Sequence, residues 1–308
     1  MQPLTPLTAA SSWSLDVSSV MLIGTATALY AWGYRRTRLR PSPIRLGRVW
    51  CFGIGIGFWL LATTSSIGVY SYALFWVRAL QVLLLLLVVP FFLASGTPVT
   101  VLRDALGAGG RGRLDRFLST PLARVLAHPL TTSVAMLATP WLLYLTPWYT
   151  AALEHWPVAA VTRILLVLIG FGYFYSRLQA DPVPRRYSQM ISVVISVIET
   201  IGDGLLGIVL WLGPLIAADY YLGVRRGWGP SLRVDQSIGA GILWIVGDVL
   251  GVPFLIVLMR AMSVDETARA AEVDTELDRT EPGTSQEAPE PTLWWENDPQ
   301  LRDRFRRG

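Results

Sequence analysis

Five ionisable residues lie inside otherwise apolar stretches of this chain: Arg78, Arg163, Glu199, Asp203 and Asp248. In hydrocarbon each such group costs roughly 2.5–3.5 kcal/mol near the middle of a helix, so they are expected to face one another or a wet cavity. Glu199 and Asp203 are four residues apart and share one helical face. Two guanidinium groups and three carboxylates are therefore expected to meet as an intramembrane charge cluster. Three roles are open to it: fixing the register of neighbouring helices, carrying a proton or ion, or lining a polar cavity for a ligand. Gln81 follows Arg78 on the same face, and the apolar run 82–89 then ends the polar stripe.

Other chemistries lack their residues. His128 and His155 are the only histidines and flank opposite ends of one apolar segment, so facing axial ligands for a transmembrane haem are not available. One cysteine, Cys51, supports neither a disulfide nor a thiolate metal site within the chain. Neither an HExxH helix, a phosphate-binding GxxxxGK[ST] loop nor a G-x-S-x-G elbow occurs. No catalytic residue, resident metal or cofactor is expected, and the chain reads as a non-enzyme. Its expected partners are the lipid bilayer and other membrane proteins, with no nucleic acid.

The elements that must position the charges follow from composition. At 52% hydrophobic and 16% charged over 308 residues, with mean hydropathy +0.44, the chain carries more apolar surface than a soluble fold hides. A bilayer core needs about 20 apolar residues per helix. Seven stretches approach that length: 15–34, 49–69, 73–94, 129–145, 158–177, 190–217 and 237–262. The fold expected is all-α, a polytopic bundle of about seven transmembrane helices covering 1–262. An acidic, partly disordered tail, 263–308, should follow it, holding 12 of the 22 acidic residues.

All 26 basic residues are arginine, and they gather after the first, third, fifth and seventh stretches. Loops rich in arginine stay in the cytoplasm, so the N-terminus is expected outside and the C-terminus inside a bacterial plasma membrane. Arg225, Arg226 and Arg233, in an outer loop, depart from that pattern. The opening residues read as an uncleaved anchor rather than a signal peptide.

Several strings run in a common order over most of residues 40–265. They are Pro90-Phe91-Phe92-Leu93 with Gly96-Thr97-Pro98, His128-Pro129, Thr146-Pro147 and Asp181-Pro182-Val183-Pro184-Arg185-Arg186. Ala217-Ala218-Asp219-Tyr220-Tyr221 and Asp235-Gln236-Ser237-Ile238-Gly239-Ala240-Gly241-Ile242-Leu243-Trp244 complete the series. Together with Gln81, they resemble the CtaG-type cytochrome c oxidase assembly factors, with an actinobacterial flavour. The resemblance implies a multi-pass, non-enzymatic protein concerned with maturing the oxidase copper centre, and oxidase subunits as partners. It also implies histidines in the third, fifth and sixth helices. At those places this chain has Arg78-Ala79-Leu80-Gln81-Val82, Arg163 and Asp203. Guanidinium does not ligate copper, so a metal-free member acting as assembly or accessory scaffold is expected. The alternative is a small-molecule or ion transporter that uses the charge cluster.

Overall fold

The structure is a computed structural model that describes residues 3–38, 44–178, 181, 189–247, 249, 256 and 259, with 189–197 described by backbone alone. All of these lie within one unit, Met1–Met262. Asp248, Arg185, Arg186 and the tail 263–308 fall outside the described residues.

Every regular element among the described residues is helical. The chain opens with α1 (Pro6–Ser11) and α2 (Val17–Thr37), the latter entered from Asp16. Helix α3 (Leu46–Thr64) ends where Ser65 turns extended, at φ −78° and ψ −171°. The Ser65 hydroxyl accepts from the Ile67 amide and opens the short α4 (Ser66–Tyr70), so the expected single stretch 49–69 is two helices. Next come α5 (Phe75–Ser95) and three short helices, α6 (Pro98–Ala105), α7 (Ala108–Leu118) and α8 (Pro121–Leu126). Helix α9 (Pro129–Leu145) starts at His128, whose Nδ1 accepts from the Leu130 amide. It is followed by α10 (Trp148–Glu154), α11 (Trp156–Leu178), α12 (Gln189–Leu212), α13 (Ala218–Gly223) and α14 (Leu232–Gly241). The last continues into a π-helical turn, Ile242–Val246.

Among the described residues, α3, α5 and α11 are long and apolar enough to cross a membrane, and α9 is apolar but shorter, at 17 residues. Helix α2, at the first expected span, interrupts its apolar residues with Ser18, Ser19, Thr25 and Thr27, and 12 of the 26 residues of the expected stretch 237–262 lie outside the described residues.

Helix α5 is the axis of the bundle. It packs on α3, α11 and α14, and Val82, Leu85, Val89 and Leu93 are buried with Phe52, Leu166, Val167 and Phe174. Its middle loosens into a π-helical turn, Leu84–Val88, just ahead of Pro90. Proline has no N–H to offer the carbonyl four residues earlier, here that of Leu86. Gly170 of α11 lies against that carbonyl: a Cβ there would stand 2.1 Å from the Leu86 oxygen and 2.6 Å from Pro90 Cγ. Because the obstacle is backbone, Gly170→Ala must push α11 off α5. A loss of about 1–3 kcal/mol is expected, read as a lower unfolding midpoint in detergent, whereas Gly57→Ala, which meets nothing within 4 Å, should leave the midpoint nearly unchanged.

Candidate functional site

Arg78 stands one turn into α5 and is 1% exposed. One guanidinium nitrogen donates to Gln81 Oε1 at 3.0 Å, and the Gln81 amide in turn donates to the Ala62 carbonyl at 2.7 Å, tying α5 to α3. The Tyr72 ring lies 5.8 Å from the Arg78 charge. No carboxylate lies within ion-pair distance of Arg78 among the described residues, and its Nε has no hydrogen-bond partner there. Around it gather Tyr144, Tyr149 and Tyr221, close enough for the Arg78 charge to act on each phenol. Tyr149 and Tyr221 share a hydrogen bond of 2.7 Å, while the buried Tyr144 hydroxyl has none.

Arg163 lies two turns into α11 and takes a different partner from those expected. Its Nε is 2.9 Å from Asp16 Oδ2, a close ion pair without an aligned N–H, and its Nη1 donates to the Tyr72 hydroxyl at 3.2 Å. Asp16 also accepts from Ser18 and Ser19 at 2.7 and 2.5 Å. A residue just ahead of the first apolar stretch thus supplies the counter-charge. Tyr72 stands between the two cations, its ring toward Arg78 and its hydroxyl toward Arg163.

Glu199 joins a third group. Arg177, the last but one residue of α11 and 0% exposed, donates to Glu199 Oε1 at 3.0 Å and to the Ser133 hydroxyl at 2.5 Å. The Tyr173 hydroxyl donates to Glu199 Oε2 at 2.6 Å, and the Arg177 charge lies 4.3 Å over the Tyr173 ring. Helices α9, α11 and α12 are joined by this network. Asp203, one turn further along α12, lines a separate cavity of about 40 Å³ with Val82, Met136, Pro140 and Leu243.

Arg78, Arg163 and Glu199 therefore take separate partners and do not pair with one another. Arg78 pairs with an amide and aromatic rings, Arg163 with Asp16, and Glu199 with Arg177. Distance along the helices accounts for this. Arg163 and Arg177 are 14 residues apart on one helix, about 21 Å along its axis, so Glu199, which meets Arg177, lies far from Arg163. No three His, Cys, Asp or Glu side chains among the described residues are grouped to hold a metal ion.

The residues that carried the resemblance tie helices to one another. Asp235, in the first turn of α14, accepts from the amides of Phe75 and Trp76 at 3.1 and 2.9 Å, capping α5 from 160 residues away. Arg226 donates to the same carboxylate at 2.7 Å, with both side chains almost wholly buried. Gln236 accepts from the Ile216 amide and donates to the carbonyls of Leu210 and Pro214, closing the end of α12. At Gly239 a Cβ would stand 2.5 Å from the Phe75 ring, and Trp244 covers Gly204 and Gly207 of α12, whereas Gly241 has open space beside it. Asp181 does for α6 what Asp235 does for α5: it accepts from the Thr100 amide and hydroxyl at 2.7 and 2.6 Å and from the Val99 amide at 3.3 Å. Burial pushes the Asp181 carboxyl above its ordinary range, opposed by those same hydrogen bonds.

Two of the three arginines that depart from the expected charge pattern have local partners. Arg226 is neutralised by Asp235, and Arg233 donates to the Gly213 carbonyl at 2.7 Å, beyond the end of α12.

Comparison with known proteins agrees with this pattern. Residues 28–264 match the family described as cytochrome c oxidase caa3 assembly factor. An uncharacterized protein of Mycobacterium bovis is 26% identical over 289 residues, covering 90% of this chain and 43% of its own length. One from Mycobacterium leprae is 27% identical over 284 residues, covering 87% and 42%. The chain thus spans less than half the length of these curated relatives. No solved structure matches it. With the match extending over most of its length, the chain belongs to the cytochrome c oxidase caa3 assembly factor family.

Proposed function

We propose that this protein is a multi-pass component of a bacterial plasma membrane that serves as an assembly or accessory scaffold for the respiratory oxidase. It would work by helix contact, without catalysis and without a metal of its own. The family match over residues 28–264 carries the reading. In it the bundle spans the bilayer seven times, with the N-terminus outside and the C-terminus inside. Three apolar helices of spanning length support the membrane part. The metal-free part is supported by Arg78 and Arg163, which are buried cations at places where the family resemblance implies imidazole. Oxidase subunits are the proposed partners.

The test is affinity isolation of the full chain from its native membranes, with copper measured on the purified, dialysed protein. Co-isolation of oxidase subunits with copper well below one equivalent is expected. Failure to recover any oxidase subunit, together with normal oxidase in a deletion strain, would refute the scaffold role. Stoichiometric copper would refute the metal-free part.

A further inference from the structure

An apolar cavity of about 290 Å³ lies among α2, α3, α5 and α6, walled chiefly by Ala26, Tyr30, Phe52, Leu93, Val99 and Leu102. Tyr30 and Phe52 stack at 3.8 Å to form one side. The Tyr30 hydroxyl donates to the Gly96 carbonyl at 3.0 Å, so the one side-chain hydroxyl in the wall is already engaged. A space with such walls offers water few partners and suits hydrocarbon.

One cation stands near its edge: Arg48 lies one helical turn from Phe52 toward the start of α3, on the same helical face. Arg48 is half-buried, makes no ion pair among the described residues, and is close enough for its charge to act on both Tyr30 and Asp181. Among the described residues Asp181 is the carboxylate whose charge reaches it, and that group is turned to the amides of α6, with Val99 itself in the cavity wall. An apolar slot thus sits one turn from a guanidinium that has no bonded anion among the described residues.

We infer that this cavity holds an acyl chain of an anionic phospholipid whose phosphate meets Arg48. The inference rests on the membrane reading above and is independent of the oxidase role. Charge complementarity selects the occupant: a zwitterionic lipid fills the slot equally well but gains less from Arg48.

The full chain, purified in mild detergent, is titrated with phosphatidylglycerol, phosphatidylcholine or inorganic phosphate, and retained adducts are counted by native mass spectrometry. Phosphatidylglycerol is expected to bind roughly fivefold more tightly than phosphatidylcholine, the worth of one arginine near the headgroups. Arg48→Gln should erase that preference while keeping phosphatidylcholine binding. Ala26→Phe, which fills the slot, should weaken both lipids, and phosphate alone should not be retained. Equal binding of the two lipids by the unaltered protein would overturn the proposal. So would an unchanged preference in Arg48→Gln, undiminished phosphatidylglycerol on folded Ala26→Phe, or phosphate retained as well as lipid. Resistance of the protein to alkaline extraction from membranes reports insertion separately, so loss of the lipid site and loss of the membrane reading are distinguishable.

Discussion

Arg177→Leu is expected to lower stability by about 3–5 kcal/mol, the range for removing one partner of a buried ion pair. Glu199 is left 8% exposed and without its guanidinium, the Ser133 hydroxyl loses its donor, and the stacking on Tyr173 disappears. Three helices lose a common tie at once. Replacing both partners, Arg177→Leu with Glu199→Leu, should recover much of that loss, because an apolar pair of similar size avoids stranding a charge. Unfolding midpoints in detergent for the two single variants and the double variant read this directly. A single variant as stable as the parent would mean that Glu199 is not held by Arg177.

The second large effect is expected at Asp235. Its carboxylate caps two amides of α5 and neutralises Arg226, so Asp235→Ala strands a buried guanidinium and uncaps the central helix together. The stranded charge dominates, at about 3–5 kcal/mol, while a lost cap alone costs about 0.5–2 kcal/mol. Asp235→Asn keeps one acceptor and should fall between parent and alanine variant. Arg226→Gln leaves the cap in place and should be milder than Asp235→Ala. Limited proteolysis between α4 and α5 locates the damage: faster cleavage near Phe75 is expected in Asp235→Ala and not in Arg226→Gln. The reverse order of severity would mean that Asp235 without Arg226 costs more than Arg226 without Asp235, against the expectation that the stranded guanidinium dominates.

These two sites show what the sequence discloses and what it conceals. Helix α9 is read from the apolar run alone, and His128 with Pro129 marks its start because both belong at a helix entrance. Asp181, Asp235 and Gln236 stand out as motif residues. Their role does not, because each caps a helix far away in the chain; for Asp235 the separation is 160 residues. Arg177 is the residue whose partner is least legible in the sequence. An arginine closing an apolar run looks like a cytoplasmic flank, and only the neighbouring helices reveal that it is buried against Glu199. Asp16 is hidden for the converse reason, since it precedes the first apolar stretch. The signal for it was local: two serines follow at the positions where an aspartate opening a helix finds donors.

Among the described residues, Arg163 with Asp16 and Arg177 with Glu199 form two separate ion pairs. Double-mutant cycles on Arg177 with Glu199, Arg163 with Asp16, and Arg163 with Glu199 test this most directly, with unfolding free energy in detergent as the readout. Coupling above about 1 kcal/mol is expected for the first pair, a smaller but measurable coupling for the second, and none beyond about 0.5 kcal/mol for the third. Strong coupling between Arg163 and Glu199, with little between Arg177 and Glu199, would contradict it.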